Sequence, residues 1–250
     1  MIILVHQPLA AAVSSAIRAG RVEELRRLFQ ENPELPIARI VDDRGTARTL
    51  LHIATDWPGH LPNGPQVISA IVEAGANPNA PVSVPDGKHA ETPLHWAASN
   101  DDVAAIDALL EAGADLESPG AVFTNGSPMS DAVVFGQWQA ARRLLEWGAH
   151  TTFWQAAALG LLDQVRERLA REPAPGSEEI TNAFWNACRG GSRETAELLL
   201  SWGADLNWIG HGGKTPLVAA LESGRGALAA WLREIGAKTT SELSVVDVTG

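Results

Sequence analysis

The chain has 250 residues, 45% of them hydrophobic, which is enough for one substantial core or an extended array. A formal charge of −11 repels phosphate backbones, and no Lys/Arg patch interleaves with aromatics, so nucleic acid is not an expected partner. Cys188 is the one cysteine, which excludes an internal disulfide and a multi-cysteine zinc site and fits a cytoplasmic protein. No apolar run approaches the roughly 18 residues of a membrane helix, so no membrane association is expected.

The N-terminal stretch MIILVHQPLAAAVSSA is apolar and ends in small residues, as secretion signals do. It lacks a basic residue ahead of the apolar region and carries His6, Gln7 and Pro8 inside it, which argues against that reading. Seven similar units follow, anchored at Ala11, Thr49, Thr92, Ser127, Thr151, Asn182 and Thr215. The clearest copies read TLLHIAT, TPLHWAA, SPMSDAV and TPLVAAL, and the weaker ones TTFWQAA and NAFWNAC. Thr or Ser at the anchor caps a helix, and Pro at the next position has no amide hydrogen to leave unpaired. Leu and the small Ala pair then turn to the core. A second helix follows with apolar spacing of three and four, as at Val103, Ile106, Leu109 and Leu110. Gly75, Gly113, Gly148, Gly203 and Gly236 end these second helices.

The T-P-L-H signature and the period resemble those of ankyrin repeats over about residues 9–240. The resemblance implies an all-α fold, an ankyrin-repeat solenoid of about seven helix-pair repeats with short hairpin fingers. It implies a single domain over 1–240 and a short C-terminal tail over 241–250, whose sequence SELSVVDVTG is β-prone.

Spacings between anchors run 38, 43, 35, 24, 31 and 33 residues. The Thr49 unit gains a Pro-stiffened loop from Trp57 to Pro62 that must project between its helices. The short step from Ser127 to Thr151 leaves only His150 between Gly148-Ala149 and the next anchor, so a finger is missing there. A loop beside a notch suggests a localised pocket.

In ankyrin proteins the residue after the His slot points into the concave groove. Here that position holds Ser15, Ile53, Trp96, Asp131, Gln155, Asn186 and Ala219. One turn further come Asp56 and Trp57, Ser99 and Asn100, Val134 and Phe135, then Arg189. Trp57, Trp96 and Phe135 offer flat apolar area, while Asp56, Asn100, Asp131, Gln155, Asn186 and Arg189 offer hydrogen bonds and charge. These nine residues form the expected binding site.

The resemblance implies hydrogen bonds from His52 and His95 to backbone and to the neighbouring Thr. The alternative reading of His52, Asp56 and His60 as base or metal ligands has a suitable spacing but no matching nucleophile. Trp154 and Trp185 replace that His in later units and are expected to pack there with an indole N–H that needs a partner. Asp101 and Asp102 are expected to make a turn and start a helix.

The expected function is a binding protein, acting as a monomer on a protein or peptide partner with some basic character through its central repeats. The alternative is an enzyme or small-molecule binder in the same groove, with Asp56 or Asp131 as acid/base and His52 or His95 assisting. A third possibility is a plain solvated face. No catalytic residue, metal or cofactor is assigned.

Overall fold

Extended backbone at Thr49, Thr92, Ser127 and Thr215 gives way directly to helix, and Pro93, Pro128 and Pro216 occupy the first helical position. The computed structural model describes residues 1–85, 87 and 90–246. Its backbone contacts cluster into two compact units, Met1–His150 and Thr151–Gly250. The division falls where the sequence lacks its finger.

The first unit holds β1 (Ile2–Leu4), α1 (Pro8–Arg18), α2 (Val22–Glu31), β2 (Arg39–Val41) and β3 (Ala47–Thr49). It continues with α3 (Leu50–Ala54), α4 (Gly64–Glu73), α5 (Pro93–Ser99), α6 (Val103–Glu111), α7 (Pro128–Phe135) and α8 (Trp138–Glu146). First helices α1, α3, α5 and α7 pack in succession, as do second helices α2, α4, α6 and α8. This two-layer stacking is how helix pairs that cannot bury an apolar face alone share a core. Leu50, Leu51, Leu94, Ile106, Leu109, Met129 and Leu144 are fully buried in it.

The second unit holds α9 (Phe153–Leu159), α10 (Leu162–Leu169), α11 (Ser177–Gly190), α12 (Arg193–Ser201), α13 (Pro216–Glu222), α14 (Gly226–Glu234) and α15 (Thr240–Val246). Its core is built on Phe184, Cys188, Leu199, Leu217 and Leu232. The recurring Gly-Ala after each second helix has Gly φ between +87° and +106°, a left-handed stop that favours glycine.

Four features depart from the sequence expectation. An N-terminal sheet of order β1-β2-β3 joins the helices, with β1 parallel to β2 and β2 antiparallel to β3. Its buried Ile3 pairs with Ile40, which gives the apolar N-terminus a structural role. Helix α1 starts at Pro8, ahead of the Ala11 anchor, and α11 starts at Ser177, ahead of Asn182, because Gly176 and the Glu179 side chain form its first turn. Thr152 rather than Thr151 caps α9. The 241–250 tail is helical through Val246 because Glu242 accepts from the Thr239 amide at 2.6 Å and pairs with Arg233; its residues 247–250 lie outside the described residues.

Two sets of hydrogen bonds hand each repeat to the next. The ring Nε2 of His52 lies 3.0 Å from the Glu91 carbonyl oxygen and that of His95 lies 3.2 Å from the Gly126 oxygen. A carbonyl only accepts, so both rings carry their proton on Nε2 and accept at Nδ1, from Thr49 Oγ1 and from the Thr92 amide. Trp185 fills the same position, and its Nε1–H donates to the Lys214 carbonyl at 2.9 Å. Glu91, Gly126 and Lys214 each directly precede the cap of the next first helix. The second set runs the other way: Asn79, Glu117 and Asn207 accept from the amides of Asp115, His150 and Lys238, each two residues past the next repeat's stop glycine.

The acidic pair behaves as expected and also bridges repeats. Asp102 caps α6 through the Ala105 amide at 3.0 Å and accepts from the His60 amide at 2.6 Å. Asp101 adopts φ +56° and accepts from the Ala140 amide at 2.7 Å.

In the second unit, α9 and α11 approach so closely that a methyl at Gly190 would lie 1.8 Å from the Ala158 carbonyl oxygen. Gly226 has open space and an ordinary φ. Gly190→Ala is therefore expected to lower the unfolding free energy measured by urea melts by about 3 kcal/mol or more. Gly226→Ala is expected to be neutral or stabilising by up to about 1 kcal/mol. Equal effects in the two variants would contradict this packing.

Candidate functional site

In the Met1–His150 unit, the loop after α3, helix α5 and the end of α7 border a groove of about 680 Å³. Trp57, Trp96 and Phe135 supply its aromatic surface, and Asp56, Asn100 and Glu91 part of its polar surface. Five of the nine expected site residues therefore meet in one place.

Each is held by local structure. Trp57 stands 81% exposed because the Pro-containing loop projects it, as its length implied. Asn100 Nδ2 donates to the Thr55 carbonyl at 2.9 Å, tying the base of that loop to α5. Asp56 accepts from the Trp57 amide at 3.0 Å and pairs with Arg18 at 3.3 Å and Arg48 at 3.6 Å. Its charge is thereby balanced within the unit. The half-buried Trp96 ring meets the His52 ring edge-on, with centroids 4.9 Å apart at 81°. Phe135 packs against the exposed Phe123 at 5.9 Å.

Asp131 departs from the expectation. It is only 1% exposed, and among the described residues no N–H or O–H donor reaches either carboxyl oxygen. It faces another carboxyl, that of Glu91, so a hydrogen bond joins the two only when one of them holds a proton. Burial, then the Glu91 charge, pushes the Asp131 carboxyl up to about 8.

The remaining three residues belong to the Thr151–Gly250 unit, and two of them are turned inward. Gln155 is 2% exposed, and its side-chain oxygen accepts from the Thr152 amide at 2.7 Å. The α9 cap has moved one residue along the chain, which converts the expected groove position into a capping position. Asn186 is 3% exposed and donates to the Asn182 carbonyl at 2.9 Å inside the longer α11. The Arg189 guanidinium is partly desolvated, which lowers its pKa, and its backbone carbonyl accepts from Arg225. Display of Asp131, Gln155 and Asn186 on a solvated groove is thus corrected by their burial.

The histidines carry no groove chemistry. His52 and His95 are fully buried with both ring nitrogens engaged. Burial pulls them down to about 3 and about 4. The spacing of His52, Asp56 and His60 does not bring them together, since Asp56 turns to arginines and the His60 ring lies 3.9 Å from Asp102. His52, Asp56 and His60 therefore form no acid–base or metal-ligand cluster.

Glu91, Val122 and Gln137 border the groove and escaped sequence reasoning, and Glu91 is the charged one among them. Its position immediately before the Thr92 cap was the available signal, because the finger there leads straight into the first helix and its backbone oxygen takes the His52 bond.

These groups set a pH dependence whose sign follows from proton counts. Between about pH 4 and 6.5 the unfolded chain takes up two protons, on His52 and His95, while the folded chain holds one on Asp131, so these groups make stability rise with pH. Between 6.5 and about 8 only the folded-state proton on Asp131 remains, so stability falls, by about 2 kcal/mol. Urea melts at pH 6.5 and 8 are expected to show this fall in the wild type and its loss in Asp131→Asn. A fall of the same size in that variant would contradict the assignment.

Residues 90–120 match the ankyrin repeat family model. Over 60 residues the chain is 42% identical to the mouse (Mus musculus) palmitoyltransferase ZDHHC13, an alignment covering 21% of this chain and 10% of that protein. The chain thus spans about a tenth of that relative's length. The crystal structure of the human ASB11 ankyrin repeat domain aligns with a TM-score of 0.51 and 22% identity, covering 91% of this chain and 98% of that one. With the capped helix pairs, the stop glycines and the His-to-carbonyl bonds, these likenesses show an ankyrin repeat at residues 90–120 and an ankyrin-repeat fold.

Proposed function

We propose that the protein binds a protein or peptide partner through the groove bordered by Trp57, Trp96 and Phe135. Ankyrin repeats generally serve as protein–protein interaction modules, and one observation carries the reading to this groove. The Trp57 indole is 81% exposed on a projecting loop beside Trp96 and Phe135, an apolar rim that a partner would cover. Tryptophan anchors of this kind commonly dominate interface energy. Asn100 and the Asp56–Arg18–Arg48 cluster keep the rim in place, so little ordering accompanies binding. The protein works as a monomer in a reducing cytoplasm, a reading that its lone, buried Cys188 supports.

A displayed library of short random peptides, selected on the purified protein, tests this reading. Trp57→Ala and Trp96→Ala are each expected to weaken selected peptides about 30-fold, the loss of about 2 kcal/mol typical of an anchor. Trp202→Ala, an exposed tryptophan of the second unit, should leave affinity unchanged. Selected peptides indifferent to both groove variants would sink the proposal.

A further inference from the structure

We propose that the segment bound in this groove is proline-rich and lies as an extended polyproline II helix, its prolines three residues apart and seated on Trp57, Trp96 and Phe135. The inference rests on the groove being the partner site and specifies the chemistry of what enters it.

Spacing motivates it. Trp57, Asn100 and Phe135 each lie eight residues past their caps, Thr49, Thr92 and Ser127, and Trp96 lies one helical turn before Asn100. Three consecutive repeats therefore each supply one aromatic ring to the same groove. Packed helices lie about 8–10 Å apart. A polyproline II helix repeats its face every three residues, a rise of about 9 Å, so one proline per turn meets one ring per repeat. An α-helical ligand matches that interval only at every second turn, and its carbonyls are already bonded. A strand ligand needs an open strand edge, and the residues bordering this groove lie in helices and loops.

Hydrogen bonding points the same way. Among the described residues no acceptor reaches the indole N–H of Trp57 or of Trp96. Polyproline II carbonyls make no internal bonds and can accept from both, while proline has no N–H of its own to satisfy. The amide side chains of the groove wall are spent on the fold: Asn100 Nδ2 donates to the Thr55 carbonyl at 2.9 Å and Gln137 Nε2 to the Ser99 carbonyl at 2.7 Å. These two bonds tie each repeat to the one before it, so the interval between the rings is set before a ligand arrives. Charge selects an uncharged occupant. Asp56 is held by Arg18 and Arg48, and Glu91 faces Asp131 and has further interactions within the protein. A charged side chain would have to break into these contacts, whereas proline rings cover the exposed indole and phenyl area and leave them in place. Groove and ligand are both stiff, which keeps the ordering cost of binding low.

The test uses peptides from the library selection, measured by isothermal titration calorimetry. Those that depend on Trp57 and Trp96 are expected to carry prolines at three-residue intervals. Replacing one of these prolines with alanine should weaken binding at least tenfold, and so should moving the prolines to four-residue intervals at unchanged composition. Trp57→Phe and Trp96→Phe keep a ring and remove the N–H, and each should weaken the same peptides three- to tenfold, less than the alanine variants do. Peptides that require Trp57 and Trp96 but lack proline, or that tolerate the change of interval, would overturn this inference and leave the groove assignment intact. Peptides indifferent to both Trp57→Ala and Trp96→Ala would remove both.

Discussion

A single donated hydrogen, from an aromatic ring in one repeat to the carbonyl just before the next repeat's cap, fixes the register of the stack wherever it occurs. It works only if the donor is neutral and its geometry rigid. His52 and His95 meet the first condition because burial removes their charge, and the second because Thr49 and Thr92 hold Nδ1. Trp185 meets both without any titration, since an indole N–H is a permanent donor. The substitution of Trp for His therefore preserves the bond rather than marking a new site. The carbonyls of Glu91 and Gly126 are held in place by these rings, so the start of each following first helix is held as well.

That constraint also shapes the groove. Because the His52 ring anchors the Glu91 backbone and meets the Trp96 ring, one buried imidazole positions both an acidic and an aromatic element of the rim. The Trp57 loop is secured separately, through Asn100, Asp102 and the arginines on Asp56. The exposed rings thus stand on a base whose polar groups are satisfied. Asp131 is the exception among the described residues, and its unsatisfied carboxyl faces the groove residue Glu91. A buried carboxyl lacking a donor and exposed aromatic area occurring together is what singles out this part of the first unit.

Most of the fold was legible because each repeat writes its own punctuation. Thr-Pro at Thr92 and Thr215, the left-handed glycines and the Asp101-Asp102 turn are local signals, and local backbone chemistry decides them. The sheet was not legible, because Ile2–Leu4 becomes a strand only by pairing with Arg39–Val41, a contact between distant segments. In the candidate site, Trp57 and Trp96 were readable from loop length and helix position. Gln155 and Asn186 were misplaced because the motif was extended rigidly into α9 and α11, where the helix starts shift. Glu91 escaped because its importance comes from facing Asp131, a relation between two fingers-and-helix segments that spacing does not encode.

Binding at the Trp57–Trp96 groove can be read directly from the indole signals of the protein. The nine tryptophans give nine indole N–H signals in a two-dimensional nitrogen–proton NMR spectrum, assignable by single Trp→Phe substitutions. On titration with a selected peptide, the Trp57 and Trp96 signals are expected to move or broaden while those of Trp147 and Trp202 stay in place. Movement of Trp147 and Trp202 with Trp57 and Trp96 unaffected would contradict it.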